Sequence, residues 1–150
     1  AARTGLFRGA PCILCPPAGA PAEAVARTRA LWEGVGARVE VMAPERHDRL
    51  LAAISHLPHV VAYALAAAAL EEEGEACRRL AGTGFRDATR IARSSPELWR
   101  DICLLNREAL LASLDRFEAR LAAMRAALEA ADAEALAAHF AAARKLLEGD

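Results

Sequence analysis

The sequence predicts a mainly helical protein that begins with a short α/β segment. Hydrophobic residues make up 55% of the 150 residues and aromatic residues only 5%. The excess of alanine and leucine is typical of helices rather than of a β-sandwich or barrel. Apolar residues recur at three- and four-residue steps over most of the chain, whereas strand-like patterns are confined to roughly the first forty residues. The length is sufficient for one domain with a substantial core.

The opening segment has the pattern of two strands that flank a helix. Residues 11–16 are an apolar run bounded by prolines, and residues 38–41 alternate between charged residues and valine. Between them, Pro21 opens a helical stretch that ends at a pair of glycines. We therefore predict a strand–helix–strand fragment of an α/β unit in residues 1–42 and a helical domain in residues 43–150.

The helical domain has recognisable starts and stops. The pattern from Pro44 to about Glu73 predicts a long helix that Pro58 kinks or divides. Gly82-Thr83-Gly84 predicts a break between shorter helices. Ser94-Ser95-Pro96-Glu97 combines the hydroxyl cap, the proline and the acid that favour a helix start.

A packing seam runs along the helix predicted after Pro96, over some thirty residues. Its members recur at alternating three- and four-residue steps and are Trp99, Cys103, Asn106, Leu110, Leu114, Phe117, Leu121, Met124 and Leu128. Asn106 is a candidate for a polar residue that sets the register, and Asp132 caps a last helix. So long a helix in so small a domain favours a homodimer, although a stripe that faces the chain's own core is the other interpretation.

The overall charge and hydropathy exclude several classes of partner. The formal net charge is −1, from 19 basic and 20 acidic residues, which predicts no nucleic-acid partner. The longest apolar run, residues 60–70, is too short to cross a bilayer. No signal segment opens the chain, so we expect a cytoplasmic protein without a membrane partner. Four cysteines in this composition do not suggest a disulfide scaffold.

Two short motifs carry little weight. Cys12-x-x-Cys15 has redox or zinc spacing, but a second such pair is missing, and a strand would point the two side chains to opposite faces. Gly82-Thr83-Gly84 resembles the start of a dinucleotide fingerprint, yet Asp87 occupies the position of the third glycine. We therefore predict no metal site at the cysteines and no nucleotide site in this chain.

Three of the four histidines lie within thirteen residues of an otherwise apolar segment, where polar groups need a partner or a ligand. Zinc held by His56 and His59, with His47 or Asp48 as a third ligand, is one interpretation, although a proline interrupts regular helix geometry here. Asp48, Ser55 and His59 are seven and four residues apart and therefore share one face of an α-helix. That pattern is typical of a pocket wall, unless the side chains only satisfy one another.

A second polar cluster, Arg86-Asp87-Ala88-Thr89-Arg90, follows the glycine break. Arginine is suited to holding carboxylates through two parallel hydrogen bonds. Asp87 and Arg90 are three residues apart and could equally pair with each other, a surface contact worth little. The position beside Phe85, just after the break, suggests a hinge near the rim of a pocket.

Taken together, these blocks resemble the prephenate/arogenate dehydrogenase family. The blocks are Leu31-Trp32-Glu33, Gly36-Ala37-Arg38-Val39, Met42…Glu45…His47-Asp48, Ser55-His56-Leu57-Pro58-His59 and Gly84-Phe85-Arg86-Asp87-Ala88-Thr89-Arg90-Ile91-Ala92. The resemblance covers nearly the whole chain but only the carboxyl-terminal part of the family. It implies a helical dimerisation domain of the 6-phosphogluconate-dehydrogenase C-terminal-like type, preceded in residues 1–42 by the remnant of a Rossmann domain.

The resemblance implies an oxidoreductase of tyrosine biosynthesis, which oxidises and decarboxylates prephenate or arogenate with NAD or NADP. The partners it implies are a second copy of the chain, the substrate, and tyrosine as a candidate inhibitor. The family's glycine-rich NAD loop and catalytic histidine would precede residue 1, and Cys15 stands where family members usually carry a threonine. We therefore expect no catalytic residue, no bound cofactor and no dehydrogenase activity in this chain alone. The rival hypothesis is a non-catalytic dimerisation or aromatic-acid-sensing module of the same fold.

For the site, the resemblance implies that Arg90 holds a substrate carboxylate and that Trp99 lines the edge of the site. It places Asp87 in an ionic gate near the dimer interface and makes His56 structural. The residues that would contact the polar side chain or the ring substituents of the substrate are His47, Ser55 and His59.

Overall fold

The computed structural model describes residues 5–71 and 73–149. The elements in chain order are β1 (Pro11–Leu14), α1 (Ala22–Gly34), β2 (Arg38–Val41), α2 (Pro44–Leu51), a π-helical turn (Ala52–His56), α3 (Leu57–Leu70), α4 (Gly74–Leu80), α5 (Thr83–Thr89), a 3₁₀ turn (Arg90–Arg93), α6 (Pro96–Leu105), α7 (Arg107–Glu129) and α8 (Ala133–Glu148). The predicted fold class is confirmed, because helices dominate and the two strands stand at the start.

The first three elements form a β–α–β unit. β1 and β2 pair in parallel, with Cys12 opposite Val39, because the intervening helix carries the chain back to the same end of the sheet. Gly36 precedes β2 with φ at +91°, and a Cβ at this position would lie 3.2 Å from the Cα of Arg8. The backbone conformation and the close approach both favour glycine here. The predicted strand–helix–strand order is confirmed.

α2 and α3 belong to one helix, Pro44–Leu70, which widens at the π-helical turn. At this turn the N–H of Leu57 donates to the carbonyl of Ala52, five residues earlier. Pro58 follows directly. In a regular α-helix its ring would clash with the carbonyl four residues earlier, but here it lies in the first turn of α3, where no N–H is required. The predicted interruption at Pro58 therefore takes the form of a π-helical turn.

The π-helical turn changes which residues share a helix face. It holds one residue more than an α-helical turn, so the residues after it are rotated by about 100° relative to a regular α-helix. The prediction that Asp48 and His59 share a face assumed an uninterrupted α-helix and does not hold through this turn.

Pro44–Leu70 is the one helix within residues 5–71 and 73–149 that is long and apolar enough, by length and composition, to cross a membrane. The apolar run at residues 60–70 is too short to span a bilayer by itself, but the π-helical turn joins it to α2 in one helix of 27 residues. In its most apolar window the mean hydropathy is 1.6 and 11% is buried. Few residues of the helix are thus fully buried, and many of the others are half-buried.

Two helix boundaries differ from those predicted from the sequence. α5 begins at Thr83, so the break predicted at Gly82-Thr83-Gly84 ends at Gly82. The predicted thirty-residue helix after Pro96 is wrong, because Asn106, with φ −113° and ψ 35°, leaves the helical conformation and separates α6 from α7. The side chain of Asn106 bonds elsewhere, as described below.

The caps predicted for two helices are confirmed. The hydroxyl of Ser95 accepts a hydrogen bond from the backbone N–H of Leu98 at the start of α6. The carboxylate of Asp132 accepts one from Ala135 at the start of α8. Each side chain satisfies one of the free N–H groups at a helix start.

The chain forms two compact units, one that ends at Asn106 and one that begins at Arg107. No large side chain within the described residues is fully buried, and the buried apolar positions of the first unit are mostly alanines. Many leucines remain exposed, among them Leu105 at 88% and Leu128 at 63%. Exposed apolar surfaces of this kind are typical of interaction surfaces.

Candidate functional site

Trp99 of α6 is the centre of an aromatic cluster with two of the predicted histidines. The ring of His59 stacks on Trp99, with ring centroids 3.3 Å apart and planes at 17°. The ring of His56 meets Trp99 edge-on, at 6.2 Å and 73°. All three side chains are half-buried. The structure thus brings together Trp99 and His59, both predicted for the site, and adds His56.

The backbone of the π-helical turn orients His59. Its Nδ1 lies 2.9 Å from the carbonyl oxygen of Ser55. A carbonyl only accepts, so Nδ1 of His59 carries a proton and donates. Ser55 therefore takes part in the cluster through its backbone, and this bond holds the His59 ring against Trp99.

His47 lies in α2 and forms an exposed pair with the neighbouring Asp48. Its Nδ1 is 2.9 Å from the carboxylate Oδ1 of Asp48. The side chains are 37% and 52% exposed, so the pair adds little to stability. It does fix the direction of the His47 ring and leaves its Nε2 available.

Asn106 links the two sides of this cluster and was not predicted for the site. Its amide Nδ2 lies 2.8 Å from the backbone carbonyl of Asp48 and 3.1 Å from Nδ1 of His56. Asn106 thereby connects the end of α6 to both α2 and the π-helical turn. The available signal was a polar residue within an otherwise apolar seam, which was interpreted as setting helix register.

The surroundings of His56 disfavour its charged form. Burial lowers the pKa of the His56 imidazole below its ordinary value. The neighbouring His47 and His59 lower this pKa further, while the Asp48 carboxylate opposes them in part. His56 is therefore neutral near pH 7.

Arg90 is an exposed guanidinium at the start of the 3₁₀ turn, and this turn packs against α3. The hydroxyl of Tyr63 on α3 donates to the carbonyl of Ser94 at 2.7 Å and fastens the end of the same turn. Within the part of the chain that the structure describes, Arg90 forms no side-chain hydrogen bond or ion pair. Its donors are therefore available to a ligand.

Asp87 is exposed on α5. The alternative that Asp87 pairs with Arg90 finds no support among the ion pairs of residues 5–71 and 73–149. The neighbouring Arg86 instead donates twice to the carbonyl of Ala81, at 2.6 and 3.1 Å. This bond holds the loop before α5, so Arg86 is engaged while Arg90 is not.

The hypothesis of a zinc site lacks a third ligand. No group of three or more histidine, cysteine, aspartate or glutamate side chains with metal-binding geometry occurs among the described residues. In addition, the Nδ1 atoms of His56 and His59 are engaged by Asn106 and by a backbone carbonyl. Cys12 and Cys15 are free thiols.

Comparison with known families decides the relationship. The family model described as "Prephenate dehydrogenase, dimerization domain" matches residues 43–142, the larger part of the chain. The chain belongs to the prephenate dehydrogenase family. The matched region is described as the family's dimerisation domain.

Individual relatives show the same relationship. The chain is 43% identical over 143 residues to cyclohexadienyl dehydrogenase from Zymomonas mobilis, covering 93% of this chain and 49% of that protein. It is 38% identical over 151 residues to prephenate dehydrogenase from Bacillus subtilis, covering 99% and 41%. A crystal structure of prephenate dehydrogenase from A. aeolicus in complex with hydroxyphenyl propionate and NAD+ superimposes with a TM-score of 0.86, at 33% identity, over 93% of this chain and 50% of that one. The chain thus spans about half the length of the relatives it matches.

Proposed function

We propose that this member of the prephenate dehydrogenase family supplies the substrate-binding half-site and the dimer interface of an enzyme that oxidises and decarboxylates prephenate or arogenate. The observation that carries the proposal is the Trp99 cluster, with His56 and His59 on one helix and the unpaired Arg90 on a turn packed against that helix. An aromatic surface and a guanidinium without a partner among the described residues suit a cyclic carboxylate.

Each group has a role in binding. The guanidinium of Arg90 would hold a substrate carboxylate through two parallel N–H donors. His59, held flat on Trp99, and His47 would present ring nitrogens to the polar side chain or ring substituents of the substrate. Ser55 would act through the backbone bond that orients His59. Asp87, exposed and one helical turn before Arg90, would belong to an ionic gate near the dimer interface.

The chain's own residues do not fit a complete dinucleotide site. The β–α–β unit has two strands, and the sequence contains no Gly-x-Gly-x-x-Gly loop to hold a pyrophosphate. In the complete enzyme NAD or NADP would supply the hydride acceptor, and the A. aeolicus relative was crystallised with NAD+. The contribution of this chain is to hold the ring in place, which allows hydride loss and decarboxylation to occur at a fixed geometry.

We also propose a homodimer in the cytoplasm. The matched family region is a dimerisation domain, and only 11% of the most apolar window of the helix Pro44–Leu70 is buried. This helix carries His47, Asp48 and His56, which are costly in hydrocarbon. A second copy is therefore a better cover for it than lipid.

Calorimetric titration with prephenate, arogenate and tyrosine tests the proposed function. We expect the chain to bind prephenate or arogenate, and Arg90→Ala to weaken this binding by about 10- to 100-fold, since hydrogen bonds to charged groups contribute about 1.5–3 kcal/mol. The matched control is Arg93→Ala, an exposed arginine in the same 3₁₀ turn, which should bind as the unmodified chain does. Tight tyrosine binding without binding of either substrate would instead support the aromatic-acid-sensing module.

A further inference from the structure

The side-chain amide of Asn106 has only one orientation that satisfies its neighbours. One of its two polar atoms faces the backbone carbonyl of Asp48 at 2.8 Å. A carbonyl only accepts hydrogen bonds, so this atom is the NH₂ nitrogen, because the opposite orientation would set two oxygens against each other. The Asp48 carbonyl therefore fixes Nδ2 on the side that also faces His56.

This orientation determines the protonation of His56. Nδ2 of Asn106 lies 3.1 Å from Nδ1 of His56 and has hydrogens to donate but no lone pair to offer. Nδ1 of His56 must therefore accept, which places the single proton of the neutral ring on Nε2. A proton on Nδ1 would set the N–H of His56 against the N–H of Asn106. Burial lowers the pKa of His56 and thereby also disfavours the doubly protonated ring.

The Nε2–H group of His56 is open to a ligand. Nε2 has no hydrogen-bond partner within the described part of the chain. Every buried side-chain nitrogen or oxygen of a half-buried or buried residue in that part does have a partner. Because His56 is half-buried, its Nε2 is therefore not a buried atom and reaches solvent. The His56 ring lies at 73° to the Trp99 ring, with centroids 6.2 Å apart, so His56 belongs to the aromatic cluster that we propose binds the substrate.

His56 and His59 therefore present different groups on the same tryptophan. His59 donates through Nδ1 to the carbonyl of Ser55, so its Nε2 in the neutral ring is an acceptor. His56 is protonated on Nε2 and is a donor. A carboxylate or carbonyl oxygen suits His56, and a hydroxyl group can satisfy both.

We propose that Asn106 is a positioning residue that fixes His56 as the tautomer protonated on Nε2, so that His56 donates a hydrogen bond to an oxygen of the bound substrate. The tautomer follows from contacts within this chain, whereas the use of the N–H on a substrate rests on the function proposed above. His56 is then a binding residue rather than a structural one.

Nitrogen-15 NMR of the histidine side chains tests the first step without any ligand. In the unmodified chain near pH 7.5 we expect His56 with its proton on Nε2 and an accepting Nδ1, and His59 with its proton on Nδ1. A proton on Nδ1 of His56 would overturn the proposal. His139 of α8 is an internal reference that no substitution at residue 106 should change.

Two substitutions separate positioning from simple packing. Asn106→Asp offers a carboxylate to Nδ1 of His56, so we expect Nδ1 to become protonated, either in the other neutral tautomer or in the charged ring. Asn106→Ala removes the constraint, and both tautomers should then be populated. An unchanged His56 tautomer in Asn106→Asp, with helix content preserved by circular dichroism, would overturn the proposal.

Titration with prephenate tests the second step. We expect His56→Ala to weaken binding by about 3- to 10-fold, as for one hydrogen bond of about 0.5–1.5 kcal/mol. Asn106→Ala should weaken it by only about 2-fold, because a part of the His56 population keeps the binding tautomer. If the tautomers are as expected and the unmodified chain binds neither prephenate nor arogenate, the proposed function fails while the tautomer assignment stands. If the unmodified chain binds and His56→Ala binds equally well, the proposed donor role fails while the proposed function stands.

Discussion

His56 and His59 contact the same tryptophan ring but differ in their hydrogen bonds. His59 is tied to the backbone of its own helix, whereas His56 is tied to a residue fifty positions further along the chain. The bond of His59 could be anticipated from helix spacing. The bond of His56 could not, because nothing in a single sequence indicates which distant side chain folds back onto a π-helical turn.

The lowered pKa of His56 predicts a loss of stability in acid. A histidine whose pKa is lower in the folded than in the unfolded chain contributes stability above about pH 6.5, and this contribution is lost as the pH falls towards the folded value. His47, His59 and Asp48 face it and set the remaining electrostatics. We therefore expect the Tm to fall between pH 7.5 and 5.5.

The matched variant is His56→Gln, which keeps an acceptor for Asn106 but does not titrate. Its Tm, measured by circular dichroism, should fall less over the same pH range than that of the unmodified chain. An equal fall in both proteins would show that other groups cause the acid sensitivity.

At the scale of elements, helix starts were easier to predict than helix interruptions. Ser95 and Asp132 act through contacts three residues away, so their caps are visible in the sequence. The end of α6 at Asn106 depends on a tertiary bond to Asp48, and the seam of apolar residues continues across it. Periodicity alone therefore predicted one helix where the chain has two. The form of the interruption at Pro58 was hidden for a similar reason, since proline is compatible with a kink, a break or a wide turn.

One hydrogen bond connects α3 to the turn that carries Arg90. The hydroxyl of Tyr63 donates to the carbonyl of Ser94 at 2.7 Å. We expect Tyr63→Phe to destabilise the chain by about 1–2 kcal/mol, because a half-buried carbonyl loses its partner, and to lower the Tm by a few degrees. Thermal unfolding measures this change.

Ser94→Ala is the matched control for this contact, since it alters the side chain but keeps the carbonyl that accepts from Tyr63. It should leave the Tm close to that of the unmodified chain. A Tm for Tyr63→Phe equal to that of Ser94→Ala would contradict the assigned role of the bond.

At the scale of the whole molecule, we expect this chain alone to be inactive, because it carries the proposed substrate-binding residues but no glycine-rich dinucleotide loop. Positioned substrate alone gives no turnover without a hydride acceptor, and the chain's residues do not form a complete dinucleotide site. We expect no reduction of NAD or NADP by prephenate above a blank without protein, measured by absorbance of the reduced cofactor. Turnover above that blank would contradict this prediction.

The exposed seam on α7 predicts how two copies associate. Leu121 and Leu128 are 55% and 63% exposed, although both lie on the apolar stripe of this helix and on the matched dimerisation domain. We expect the chain to sediment at twice the mass of one copy. The double substitution Leu121→Glu and Leu128→Glu should weaken association by about 100-fold or more, because it buries unpaired carboxylates.

Arg120→Gln, exposed on the same helix, is the control and should remain dimeric. A monomeric unmodified chain at micromolar concentration, or a dimeric double variant, would contradict an interface at this seam.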